Sequence, residues 1–332
     1  MPLPQIDVSA LLDRDADDHD RQAVGREIDA ACRDSGFFLA TGHGIDSRLR
    51  DDLEALSREF FALPDQAKAA IAMQRGGVAW RGWFPVGGEL TSGEPDRKEG
   101  VYFGAELAST DPRVLGRTPL HGPNLFPEHP AGLRLAVLRW IDEVSALGQT
   151  LLEGVALGLG IESEWFATHL TADPTVLFRL FHYPPGDSDS WGVGEHTDYG
   201  LITLLAQDRN GGLQVRTRGT WADVPADPYV FVVNIGDMLE KMTGGLYRSN
   251  PHRVRNLSGQ DRLSFPLFVD PSWDARVTPL PAAALTGEPR QDVDGDRRWD
   301  GQSVHAWEGV YGDYLTAKVA KVFPQLAAAL RD

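Results

Sequence analysis

From Val176 to Asp270 the chain is a succession of short apolar runs rich in β-branched and aromatic residues. They are "VLFRLFHY" (176–183), "LITLLA" (201–206), "GGLQV" (211–215), "YVFVVNIG" (229–236) and "RLSFPLFVD" (262–270). Gly, Pro, Asp and Asn separate them, residues that end strands and make turns. Strands this short cannot bury an apolar face alone, so they must pack as a sandwich or close into a barrel.

The chain ahead of these runs has a helical texture. Val24, Ile28 and Cys32 recur at four-residue spacing before Gly36, which predicts a helix with a glycine stop and then a short buried strand at Phe37-Phe38-Leu39. Asp46 is placed to cap a second helix carrying Leu49, Leu53, Leu56 and Phe60, which Pro64 closes. A long periodic segment from about Ala131 to Leu159 carries Leu135, Leu138, Ile141, Leu147 and Leu151, and a last helix is expected in "YGDYLTAKVAKVF" (311–323). No linker composition divides the chain. The expectation is an α+β fold in one catalytic unit, with residues 1–120 packed as a helical and strand region on a core at 121–332.

Charge and cysteine usage narrow the function classes. The 332 residues carry a net charge of −16 and a sequence pI near 4.9, with no long basic run, which argues against nucleic acid or an anionic membrane as partner. No apolar stretch is long enough to span a bilayer. Cys32 is the single cysteine, so there is neither an intramolecular disulfide nor a thiolate metal cluster. The first residues lack a basic then apolar leader pattern, and a soluble cytoplasmic protein is expected.

Chemistry concentrates in "GEHTDYGLIT" (194–203). His196 and Asp198 are two apart, and in extended chain such residues share a face. The pair could be a surface coincidence, a buried hydrogen-bonded couple or two metal ligands. His252, in "RSNPHRV" (248–254), completes a set of two histidines and one carboxylate, the facial triad of non-haem iron(II) oxygenases. Three ligands on one face of an octahedron leave three positions for oxygen and an organic ligand. Arg262 and Ser264 follow on a predicted strand, again two apart. A guanidinium clamps a carboxylate through two parallel hydrogen bonds, and a hydroxyl adds another donor.

The ordered set of motifs resembles the 2-oxoglutarate/Fe(II)-dependent dioxygenases of the isopenicillin N synthase-like family. The matching pieces are "PQIDVSALL", "GFFLATGHGI", "FRLFHYPP", "GEHTDYGLITLLAQDRNGGLQV", "VVNIGDML", "RSNPHRV" and "RLSFPLF", in family order from residue 4 to about 270. The resemblance implies a double-stranded β-helix (jelly-roll) core. It implies His196, Asp198 and His252 as iron ligands, Arg262 and Ser264 as the carboxylate-binding pair, and Tyr183 as a further hydrogen-bond partner of that carboxylate. The implied reaction is oxidation, by hydroxylation, of a small-molecule metabolite with Fe(II), 2-oxoglutarate and O2, releasing succinate and CO2. Some family members keep the triad and the Arg-X-Ser pair without using 2-oxoglutarate. An iron oxidase is therefore the alternative within the class, and a silent jelly-roll binding protein or a zinc hydrolase the alternatives outside it.

For the substrate wall, the aromatic-rich segment 79–104 is the candidate, since aromatic walls with a few polar groups suit small molecules. Trp83, Phe84 and Phe103 are expected there, with Phe268 just beyond the Arg-X-Ser pair. The segment from Trp307 is placed to cover the barrel mouth. His43 and His182 read as structural, Asp237 as ordering a turn, and Glu195 as pointing to the opposite face from His196.

Overall fold

The computed structural model describes residues 2–185, 191–287, 298 and 300–327. Four strands come from the first 120 residues: β1 (Gln5–Asp7), β2 (Phe37–Thr41), β3 (Gly82–Phe84) and β4 (Glu99–Gly104). β5 (Pro174–Tyr183), β6 (Val193–His196), β7 (Ile202–Gln207) and β8 (Leu213–Thr217) follow. β9 (Thr220–Asp223), β10 (Phe231–Ile235), β11 (His252–Val254) and β12 (Arg262–Ser272) complete the set. The larger sheet has the order β1-β2-β10-β7-β12-β5-β4-β3, and the smaller has β6-β11-β8-β9. Together they form the jelly-roll core. The N-terminal region supplies both edges of the larger sheet, β1-β2 on one side and β4-β3 on the other.

The main helices form where the periodicity places them. α1 (Asp18–Asp34) starts at Asp17, whose carboxylate accepts the Asp20 N–H, and buries Val24, Ile28, Ala31 and Cys32. Gly36, just beyond it, has φ +68°, and a Cβ there would lie 2.0 Å from the Arg248 carbonyl oxygen. α2 (Ser47–Phe61) is capped by Asp46 through the Arg48 N–H. α3 (Leu133–Gly158) buries Leu133, Val137, Trp140, Val144, Leu147 and Leu151. Leu135 instead faces solvent at 68% exposure, because the buried stripe runs through Leu133 and Val137 on either side of it. Tryptophan and valine carry that stripe as much as leucine does. α4 (Tyr311–Val322) lies against the barrel.

Side-chain alternation gives the larger sheet one chemically mixed inner face. On β5, Leu177, Arg179, Phe181 and Tyr183 line a central cavity; on β12, Arg262, Ser264, Pro266, Phe268 and Asp270 do. Cross-strand register aligns them: Tyr183 opposes Arg262, Phe181 opposes Ser264, and Leu177 opposes Phe268. Thr203 of β7 opposes Phe268 on its other side and Asn234 of β10. His196 and His252 enter the same cavity from the smaller sheet.

Candidate active site

The strand pairing of the smaller sheet brings two residues 56 positions apart into direct register, His196 on β6 and His252 on β11. Their rings lie 4.2 Å apart between centroids. The two Nε2 atoms stand 3.9 Å and 3.8 Å from the same oxygen, Oδ1 of Asp198. These gaps are too long for hydrogen bonds, so the hydrogen-bonded couple does not describe the pair. All three ligand atoms lie within 4.8 Å of one another, a separation that one shared ion can bridge.

The surroundings prepare each group for coordination. His196 Nδ1 donates to the Gly194 carbonyl at 2.8 Å, which leaves the Nε2 lone pair facing its partners. Asp198 Oδ2 accepts hydrogen bonds from Thr203 Oγ1 at 2.6 Å and Asn234 Nδ2 at 2.7 Å, so Oδ1 is the free oxygen. Burial pushes the Asp198 carboxyl up, but His252, His196 and the two donors outweigh it and hold the group below its ordinary range. Burial, with His196 nearby, depresses His252 to about 4. A neutral His252 imidazole beside an ionised carboxylate suits the binding of a divalent metal.

At the other end of β12, Arg262 is fully buried. Its Nε donates to the Asn210 carbonyl and its Nη2 to Gln207 Oε1, at 3.2 Å and 3.0 Å. Nη1 is buried with no partner among the described residues. Among those residues no carboxylate neutralises it, so the structural salt bridge that could have explained Arg262 is absent from its described surroundings. Its guanidinium lies 4.8 Å over the Tyr183 ring, and the Tyr183 hydroxyl is 3.2 Å from Ser264 Oγ. All three residues line the cavity that holds the triad.

Comparison with known proteins agrees with this geometry. Residues 3–129 match the sequence family described as non-haem dioxygenase in morphine synthesis N-terminal, and residues 174–271 match the 2OG-Fe(II) oxygenase superfamily. A "Probable iron/ascorbate oxidoreductase" of Dictyostelium discoideum is 43% identical, over 98% of this chain and 95% of that protein. The chain belongs to the 2OG-Fe(II) oxygenase superfamily. A 1-aminocyclopropane-1-carboxylate oxidase of Dictyostelium mucoroides is 35% identical over 97% of this oxygenase and 95% of the relative. Among solved structures, a full-length Neurospora crassa protein in complex with alpha-KG and thymine superposes with a TM-score of 0.76 at 25% identity, covering 98% of this chain and 96% of that one. The protein is a 2-oxoglutarate-dependent dioxygenase that uses iron(II) and oxidises small molecules.

Three of the four residues expected at the substrate wall do not line the cavity that holds the triad. Trp83 lies outside the cavity wall, its indole N–H donating to Glu99 Oε2 at 2.7 Å. Phe84 packs behind the wall on Tyr102 and Phe323, and Phe103 stacks between Phe126 and Phe178. Phe268 does line the cavity. The aromatic wall comes instead from Tyr102 and Phe181, with Glu89, Lys98 and Arg179 beside them. Tyr102 is the immediate neighbour of Phe103, and adjacent strand residues face opposite ways, so choosing the wrong parity on β4 exchanged core for pocket. On β5 the signal was present: Arg179 and Phe181 share parity with Tyr183.

His182 faces away from the cavity, bridging Glu99 and Asp261 at 2.8 Å each. His43 bonds the Ile45 N–H and the Tyr229 carbonyl, and Glu195 is exposed near Arg216. Asp237 is buried and holds the C-terminal helix, accepting the Tyr314 hydroxyl at 2.8 Å and pairing with Arg298. Leu315, Val319 and Val322 of α4 complete the cavity wall.

Proposed function

We propose that His196, Asp198 and His252 hold iron(II) in this dioxygenase, and that Arg262, Ser264 and Tyr183 hold the distal carboxylate of 2-oxoglutarate in the same cavity. The observation that carries this reading is Arg262 Nη1, a buried guanidinium nitrogen with no partner among the described residues, in the cavity that the triad shares. A buried cation left so is costly unless a ligand anion completes it. Bound iron with 2-oxoglutarate and oxygen supplies the oxidising power, the cosubstrate leaving as succinate and CO2.

The residues of the chain perform the rest. Asp198, fixed by Thr203 and Asn234, presents one oxygen to the metal, while His196 is fixed in its tautomer by Gly194. Arg262 orients the cosubstrate from the far end, and its fork geometry sets the angle as well as the charge. The aromatic and aliphatic wall of Tyr102, Phe181, Phe268, Leu315 and Val319 excludes water around a small-molecule substrate and holds a C–H bond towards the metal. The products expected are the hydroxylated substrate and succinate in equal amounts.

An anaerobic Fe(II) titration with and without 2-oxoglutarate tests the assignment. A visible charge-transfer band that needs both components, and that weakens in Arg262→Ala, is the expected result. A band of unchanged affinity in Arg262→Ala would move Arg262 from the cosubstrate to the substrate.

A further inference from the structure

The cavity contains a second buried guanidinium that neither the iron nor the 2-oxoglutarate assignment uses. Arg179 is 4% exposed and lies on the cavity wall. Its Nη1 donates to the backbone carbonyls of Phe103 and Phe178, both at 3.1 Å, and its carbon Cζ lies 3.4 Å over the Tyr102 ring. Among the described residues no carboxylate is in ion-pair contact with it. Arg81 is buried close enough to repel it, with Nε and Nη1 themselves unpartnered among those residues. Glu89 and Asp270 act on Arg179, and Glu106 on Arg81, only from beyond ion-pair distance, so a ligand carboxylate in direct contact would complete the corner.

The opposite charge stands at the other end of the same tyrosine. The Tyr102 hydroxyl donates to Glu89 Oε1. Glu89 Oε2 is 2.8 Å from Lys98 Nζ but has no aligned hydrogen bond. Lys98 also pairs with Asp96, so two carboxylates share one ammonium, and the further positive charge that acts on Glu89 is Arg179, out of ion-pair contact. Asp270 lines the cavity beyond Phe268 and is occupied by the Tyr311 hydroxyl. Arg179 and Glu89 thus stand at the face and the hydroxyl of the same tyrosine without touching each other. The ammonium and carboxylate of an amino acid are likewise close neighbours, two bonds apart.

We propose that Arg179 and Glu89 form a zwitterion site, Arg179 taking the carboxylate and Glu89 the ammonium of a free amino acid, which is the substrate class of this oxygenase. The inference rests on the dioxygenase reading above and assigns the part of the cavity wall next to the cosubstrate groups, Arg179 sharing β5 with Tyr183. Tyr102 sets the spacing of the two charges, and Phe181 and Phe268 surround the side chain of the amino acid.

The test uses the full chain loaded with Fe(II) and 2-oxoglutarate, and measures succinate formed above the substrate-free background. The probes are the proteinogenic L-amino acids, each beside two near-isosteric analogues. One is the 2-hydroxy acid, which replaces the ammonium; the other is the amino-acid amide, which replaces the carboxylate. At least one free amino acid is expected to stimulate succinate formation, with kcat/KM falling about 100-fold or more for each analogue. In Glu89→Gln the preference for amino acid over hydroxy acid should collapse, and in Arg179→Gln the preference for acid over amide. Analogues that stimulate as well as the parent, or preferences that survive both substitutions, would overturn the zwitterion site. So would a panel in which no amino acid stimulates although background succinate forms. Absence of succinate under every condition would strike the dioxygenase reading instead. The wild-type panel stands even if a variant fails to fold.

Discussion

Thr203 and Asn234 both hold Oδ2 of Asp198, and so decide which oxygen is left for the proposed iron. Removing either donor frees Oδ2 to compete with Oδ1 and lets the carboxylate turn. Asn234→Ala is expected to lower iron(II) affinity by about 10- to 100-fold while leaving the fold intact, measured by anaerobic titration. Arg262→Lys keeps the charge and loses the fork, so the 2-oxoglutarate concentration needed for half-saturation should rise by about 10-fold or more, read from the same charge-transfer band. At this scale the sequence was legible where chemistry and spacing coincide: His196-X-Asp198 and Arg262-X-Ser264 each share a strand face by parity alone. Thr203 and Asn234 gave no such signal, because their role depends on β7 pairing with β10. Trp83, Phe84 and Phe103 were misplaced because an aromatic residue on a strand reads the same from either face.

Among the elements, α4 combines a structural anchor with a cavity wall. Lys318 and Lys321 on this helix both donate to Asp300, at 2.7 Å and 2.8 Å, and the side chains of Asp300 and Lys318 are little exposed. Burial alone would raise Asp300, but the two lysines and the Gln302 N–H hold it at about 2. The folded form therefore binds a proton less readily than the unfolded chain. The stability this contributes is complete above the ordinary carboxylate value of 3.8 and is lost as pH falls through 2. Asp300→Asn should cost about 3 kcal/mol at neutral pH by leaving Lys318 buried without its anion. The difference in Tm between wild type and variant should shrink below about pH 4. Helix positions were readable because caps and periodicity are local: Asp46 and Gly36 mark ends that the structure keeps. The outward turn of Leu135 was not, since residue type alone does not fix the centre of a buried stripe that Trp140 and Val144 share.

For the whole molecule, the order of the larger sheet is what sequence reading could not supply. Its central neighbours, from β2 to β5, are not consecutive in the chain, and pairs such as β2 with β10 link residues nearly two hundred positions apart, as Phe38 with Val233. Strand existence follows from local pattern, but partner choice follows from the collective packing of both sheets. One consequence can be measured. Residues 121–332 expressed alone lack β1 to β4, leaving β10 and β5 as bare edges beside exposed core. That fragment is expected to aggregate, and sedimentation of the fragment against the full chain checks it. A soluble, monomeric fragment with native-like circular dichroism would show the N-terminal strands to be dispensable.

The division of the cavity between two sheets has a further consequence. Both histidines proposed as ligands ride on the smaller sheet, while Arg262, Ser264, Tyr183 and Arg179, proposed to hold the organic molecules, ride on the larger one. Asp198, hydrogen-bonded to Thr203 and Asn234, stitches the two together. The distance from metal to each carbon of a bound substrate is accordingly a property of how the sheets are registered against each other. Evolution or design could redirect oxidation from one carbon to its neighbour by resetting that stitch, leaving every group that grips the substrate in place. Regiochemistry would then be tuned by architecture, separately from recognition.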